Sequence, residues 1–232
     1  MTEAPQRIHG GTVAPAEGPP PREALAGRWV RLQPIDPARH VAELYAVSAE
    51  DPGIWTYMPY GPFPSQAAMT AWLNGCADGE DPLFYALIDA ESGRAAGMAS
   101  YLNIVPQHGS IEIGHIWFSE LLRRRRAASE AIFLMIRQAF DGLGYRRVEW
   151  KCNARNAASR QAALRYGFAF EGVFHQHLIV KGANRDSAWF SILDGEWPAL
   201  RGAFETWLDP DNFDAEGQQK ESLSTLTAAA RG

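Results

Sequence analysis

Cysteine is almost missing from this chain. Cys76 and Cys152 are the only two in 232 residues, far apart and outside any C-x-x-C pattern, which excludes a disulfide framework and a zinc site built on paired thiolates. Long apolar runs are missing too, since none approaches the roughly 20 residues that a bilayer-spanning helix needs. The N-terminus lacks the basic-then-apolar profile of a secretory signal. These absences predict a cytoplasmic protein with free thiols and no membrane partner. Excess positive charge is absent as well: 22 Lys and Arg face 27 Asp and Glu, for a formal net charge of −5. Proteins that hold nucleic acid through phosphate contacts have the opposite balance, so no nucleic-acid partner is expected. His175 and His177 lie two apart with no third ligand at suitable spacing, and they read as ordinary strand residues. No metal is expected.

What the chain does have is enough apolar sequence, 46%, for one sizeable core. Residues 1–26, rich in Pro, Gly and Ala, read as an extended or disordered arm, and residues 209–232, with Gln218, Gln219, Ser222 and Ser224, as a flexible tail. Between them, residues 27–208 read as a single domain. Strand patterns at Arg28–Ile35, Leu83–Asp89, Ala95–Ile104 and Ser110–Ser119 are followed by one at Arg147–Cys152. Asp36, Ser65 and Asn156 stand where helix caps belong. The order predicts an α/β fold of the α+β kind: a mixed, mainly antiparallel sheet flanked by helices.

The most informative stretch joins Trp117-Phe118-Ser119 to Arg123-Arg124-Arg125-Arg126-Ala127-Ala128-Ser129 and then to a helix with Ile132, Met135, Ile136 and Ala139 at helical spacing. A strand running through arginines into a helix is an anion trap. The first turn has N–H groups without intrahelical partners and the positive end of the helix dipole. Ala127 and Ala128 leave those groups approachable, Ser129 adds a hydroxyl, and arginine can fork onto phosphate oxygens.

Taken with Glu112-Ile113-Gly114, Asn156-x-x-Ser159, Tyr166-Gly167-Phe168 and Lys181-Gly182-x-Asn184-Arg185-Asp186 before Trp189-Phe190, this turn resembles the GNAT superfamily of acyl-coenzyme A dependent N-acyltransferases. The likeness is closest to the branch of ribosomal-protein N-terminal acetyltransferases, and it covers roughly Arg28 to Trp197. It implies that the sheet splays between the fourth and fifth strands read above and that acetyl-CoA, as co-substrate, enters the split. The pantetheine arm would pair near Ile116, Trp117 and Phe118. The pyrophosphate would sit on Arg123, Arg124, Arg126, Ala127, Ala128 and Ser129, where Arg126 stands in place of the family's first glycine. Asn156 and Ser159 would close the site from the next helix.

The same resemblance implies catalytic roles. Where the family often has a tyrosine acid this chain has Ala162 and Ala163; in the resembling branch the serine of Asn-x-x-Ser takes that role, which implies Ser159 as the proton donor to the departing thiolate. Glu112 is the expected base, ahead of Glu149 and His115, against a purely structural reading in which it pairs with Lys151 or an arginine. The loop carrying Trp55, Tyr57, Tyr60 and Phe63 lies where the family builds its acceptor wall, with His115 beside it. The expected acceptor is an amine, a peptide N-terminus or a small molecule, and the expected assembly is a monomer or homodimer. A coenzyme A binding or regulatory module without catalysis is the alternative.

Overall fold

Asp36, Ser65 and Asn156 each open a helix in the way their chemistry dictates. Their side chains accept from the backbone N–H of Ala38 at 3.0 Å, Ala68 at 3.2 Å and Ser159 at 3.1 Å. In the computed structural model, which describes residues 10–232, these caps start α1 (Pro37–Ala49), α2 (Gln66–Ala77) and α4 (Ala157–Arg165). The other helices are α3 (Arg126–Arg137), which runs on into a π-helical turn at Gln138–Gly142, α5 (Trp197–Leu208) and α6 (Leu223–Arg231). The strands are β1 (Leu25–Ala26), β2 (Val30–Pro34), β3 (Leu83–Asp89), β4 (Ala95–Val105), β5 (Ser110–Phe118), β6 (Arg147–Asn153), β7 (Ala169–Val180) and β8 (Ala183–Leu193). They form one sheet in the order β1-β2-β3-β4-β5-β6-β8-β7. Every neighbouring pair is antiparallel except β5 with β6.

Helices cover both faces of this sheet, and β3 shows it residue by residue. Tyr85 and Leu87 join the core that contains α3 and α5, whereas Phe84 and Ala86 join the core under α1 and α2. Side chains alternate across a strand, so burial on both faces turns β3 into a continuous apolar run.

Two segments outside the expected domain are built into it. The first nine residues of the N-terminal arm lie outside the described residues. From Ala16 the arm runs extended along the domain: Ala16 is buried, its N–H donates to the Pro106 carbonyl at 3.0 Å, and the Tyr145 hydroxyl donates to the Gly18 carbonyl at 3.0 Å. The C-terminal segment, expected to be a flexible tail, ends in α6. Ser222 caps that helix, Leu223 and Thr227 are buried, and Arg231 binds the Glu196 carboxylate at 2.7 Å. Polar composition masked a short amphipathic helix whose apolar side finds α5.

Glu130 fixes the start of α3 against the sheet. Its buried carboxylate accepts the backbone N–H groups of Arg28 at 2.8 Å, Trp29 at 2.7 Å and Val30 at 3.0 Å. Gly27 makes room for it, since a Cβ there would lie 2.4 Å from the carboxylate. Replacing Glu130 with Ala strands three donors and is expected to lower stability by at least about 2 kcal/mol. Gly27→Ala is expected to lower it by about 1–3 kcal/mol through the clash. Urea denaturation measures both, and a Gly27→Ala protein as stable as the parent contradicts this packing.

Candidate active site

Strands β5 and β6 pair over only three positions, Ser110 with Arg147, Ile111 with Val148 and Glu112 with Glu149. Beyond them the strands separate. On its other side β5 pairs Gly114 with Ser100 and Trp117 with Met98, three steps against two, so a bulge falls at His115 and Ile116. His115 takes a left-handed φ of +53° there. The bulge bends β5 away while β6 stays in register with β8 as far as Asn153 opposite Ser187. The main chain of β5 beyond Gly114 therefore faces a gap instead of a neighbour.

A cavity of about 450 Å³ fills that gap, walled by Gly114–Phe118 of β5, Trp150–Asn153 of β6, Asn156 and Ser159 at the start of α4, and Tyr57–Pro59 of the loop after α1. A second cavity, of about 1050 Å³, lies at the N-terminus of α3, between Arg124–Ser129, Arg28, Trp29, Arg165 and the segment from Phe213 to Gln219. Tyr166 borders both cavities.

Leu122 builds the arginine turn by burying itself completely, with its N–H on the Ser119 carbonyl. The left-handed residue in that turn is Arg124, φ +60°, and Arg126 opens the helix. The replaced glycine position is thus ordinary helix, and arginine there meets no backbone penalty. The Arg126 guanidinium sits over aromatics, 3.7 Å from the Phe213 ring centre and 5.3 Å from that of Trp29. Ser129 is buried and accepts from Arg165 at 2.8 Å. Arg124, Arg126, Ala127, Ala128 and Ser129 stand together around the second cavity. Arg123 does not join them. It borders the first cavity, with its guanidinium on Asp51 at 2.5 Å and Glu120 at 2.8 Å. Arg28 and Arg165 were not singled out by sequence; Arg165, two residues before Gly167, carried only a helix-end signal.

At the inner end of the first cavity Glu112 is buried, paired with Lys151 Nζ at 2.6 Å and accepting from Asn103 Nδ2 at 2.6 Å. Burial pushes its carboxyl above the usual range, and Lys151 and Asn103 pull the other way. Glu149, across the last paired position, is tied to Arg147 at 2.7 Å. The Ser159 hydroxyl accepts from the Trp150 indole at 3.0 Å and faces the cavity. Cys152 lies on the same wall and burial raises its thiol, while burial pushes Cys76 up to about 11. Both sulfurs stay protonated near neutral pH and are poor nucleophiles.

The aromatic loop divides. Tyr57 borders the cavity and its hydroxyl donates to the Arg155 carbonyl at 3.3 Å. Trp55, Tyr60 and Phe63 instead pack into the core under α1 and α2, with centroid separations of 5.8 Å for Trp55 to Tyr60 and 5.4 Å for Trp55 to Phe63. They support the wall and do not form it. His115 borders the cavity with its ring 5.5 Å from Tyr60 and 5.0 Å from Phe84. Ile116, Trp117, Phe118 and Asn156 all border it as well.

A sheet split by a bulged strand, with a basic helix N-terminus at one end, defines an acyltransferase fold, and comparison with known proteins agrees. The acetyltransferase (GNAT) domain profile matches residues 30–169. A GCN5-related N-acetyltransferase structure from Brucella melitensis superposes with a TM-score of 0.91 and 46% identity, covering 93% of this chain and 98% of that one. A Chromobacterium violaceum structure described as a probable GNAT-family acetyltransferase gives a TM-score of 0.76 and 45% identity, over 86% of this chain and all of that one. A Bacillus subtilis protein named as a candidate ribosomal N-acetyltransferase, YdaF, is 28% identical over 176 residues, 72% of this chain and 90% of its own. The chain belongs to the GNAT acetyltransferase family.

Burial, with Arg185 adding to it, pulls His115 down to about 4 from an ordinary 6.5. The unfolded chain therefore takes up this proton before the folded one does. Stability from the neutral imidazole is present above pH 6.5 and is lost as pH falls toward 4. His115→Phe is expected to flatten that part of the pH–stability curve in denaturant titrations at pH 4 to 7. Equal slopes for variant and parent contradict the burial of this ring.

Proposed function

We propose that the protein transfers an acetyl group from acetyl-CoA directly to an acceptor amine, and that an α-amine is preferred to a lysine side chain. The observation carrying this reading is the pair of cavities that share Tyr166, one rimmed by arginines at a helix N-terminus and one opened by the split of β5 from β6. Their chemistry suits the two ends of the co-substrate. The α3 N-terminus, with Arg124, Arg126 and Arg165 around it, offers N–H groups and cations to phosphates. The side of β5 that faces the gap, without a strand neighbour from Gly114 to Phe118, offers donors and acceptors to an amide-bearing arm.

Acetyl-CoA supplies the thioester carbonyl as acyl donor. The bulge at His115 and Ile116 turns backbone N–H groups out of the ladder, and such fixed donors stabilise a developing oxyanion without reorganising. Ser159 is the proton donor for the thiolate, its hydroxyl held in place by the Trp150 indole. Glu112 takes the proton from the amine, directly or through water, and its raised pKa brings it closer to the range useful for proton transfer near neutral pH. No cysteine takes part.

The preference for an α-amine follows from ionisation. With a pKa of about 7.7–8, roughly a tenth of an α-amine is neutral at pH 7, against under about one part in 1,000 for lysine near 10.4. A site with one base that is already paired to Lys151 suits the amine needing less help. The relative named for ribosomal N-acetylation supports an amine of a ribosomal protein as acceptor. That same Lys151 pairing is also what a coenzyme A binding module without catalysis would have, and binding without turnover on any amine marks that case.

Two outcomes test the roles. Ser159→Ala is expected to lower kcat by roughly a hundredfold while the dissociation constant for acetyl-CoA, from calorimetry, moves much less; a variant with full kcat removes Ser159 from the mechanism. The parent is expected to lose kcat/KM as pH falls through the raised pKa of Glu112, because only the ionised carboxylate accepts a proton. Glu112→Gln is expected to lose most activity together with that acidic limb. A limb unchanged from the parent's, beyond the part set by the amine's own ionisation at about 7.7–8, assigns the base elsewhere.

A further inference from the structure

The wall of the first cavity contains a cation that nothing answers among the described residues. Glu112 there is paired with Lys151, and Arg123 with Asp51 and Glu120. Arg185, on β8 opposite Leu178 of β7, is half-buried, and its Nε is sealed from solvent without a hydrogen-bond partner among the described residues. The neighbouring carboxylate, Asp186, is taken up by the Gln176 N–H at 2.8 Å, Asn184 at 2.9 Å and His175 at 3.1 Å. Arg185 borders the cavity of the reacting groups and not the one at the α3 N-terminus, so phosphates held at that helix leave it free. Its charge reaches His115 and Cys152, from β5 and β6, across the gap.

A half-buried guanidinium with an unused donor is costly to keep unless something pairs with it. An amine cannot, for it brings either no charge or the same charge. We infer that Arg185 reads an anionic group, a carboxylate or phosphate, carried by the acceptor close to the amine that is acetylated. This rests on the proposed transfer to an amine and narrows its substrate class. The planar fork of arginine fits both oxyanions through two parallel hydrogen bonds, which a lysine in the same place does not reproduce. The pairing also fixes the acceptor in the cavity by its acidic end, so that Arg185 sets specificity and not the chemical step.

Matched acceptors separate the sources of the anion: a free amino acid against its amide, a peptide with Asp second against one with Asn second, and a peptide with phosphoserine second against serine. In at least one pair the acidic member is expected to win in kcat/KM by about tenfold to a hundredfold, and the winning pair identifies the group. Arg185→Gln is expected to bring that ratio close to one, mainly through KM, whereas Arg185→Lys keeps part of it. Calorimetry on the same pairs, with coenzyme A present, reads the site without turnover. Tighter binding of the acidic member with no acetylation of either supports the anion site and removes the proposed reaction. Equal kcat/KM and equal binding for all three pairs in the parent, or a preference that survives in Arg185→Gln, overturns the inference.

Discussion

Strand β5 has three pairing partners on β6 and then none, and the rest of the site depends on that interruption. Were Gly114 to Phe118 paired on both sides, their N–H and C=O groups would be spent on the ladder and the sheet would be closed. The bulge at His115 and Ile116 prevents it by bending β5, while β6 follows β8 undeterred. A non-glycine residue at a φ of +53° is unfavourable by itself, and the packing of the His115 ring against Tyr60 and Phe84 holds it there. The aromatic core under α1 and α2 thus acts on the site through the backbone of β5.

The opposite end of the site depends on α3, whose first turn must face the second cavity at a fixed height. Glu130 supplies that constraint by taking three backbone N–H groups at the start of β2, about a hundred positions away in sequence. The arginines beside it are then free to face outward. Arg126 is braced by Trp29 and Phe213, and Arg165 by Ser129. The segment that carries Phe213 lies beyond α5 and is tied back to it, the Trp207 indole donating to Gln219 at 2.8 Å and Asn212 donating to the Trp207 carbonyl at 3.2 Å.

Much of this was legible from residue order. The three caps were readable because a capping side chain bonds within its own turn, and the strand-to-helix junction at Ser119–Ser129 because its chemistry is local. What escaped was long-range. Nothing near Trp55, Tyr60 and Phe63 tells a pocket wall from a core, as the difference lies in whether Trp72 and Trp117 cover them. The bulge falls at a histidine, where no glycine announces a left-handed residue. Arg185 stood in a motif that sequence could quote without assigning it a task, because its lack of a partner exists only once β8 lies beside β6. For α6 a signal was present, Ser222 ahead of a run from Leu223 to Ala230, but the polar stretch before it outweighed nine residues of helix.

Backbone amide hydrogen exchange, with and without acetyl-CoA, tests most directly whether the split strand and the α3 N-terminus act as one site. The account predicts slower exchange in the bound protein at Gly114–Phe118 and at Ala127–Ser129 together. Protection at only one of these segments, or at neither while the ligand demonstrably binds, would contradict it.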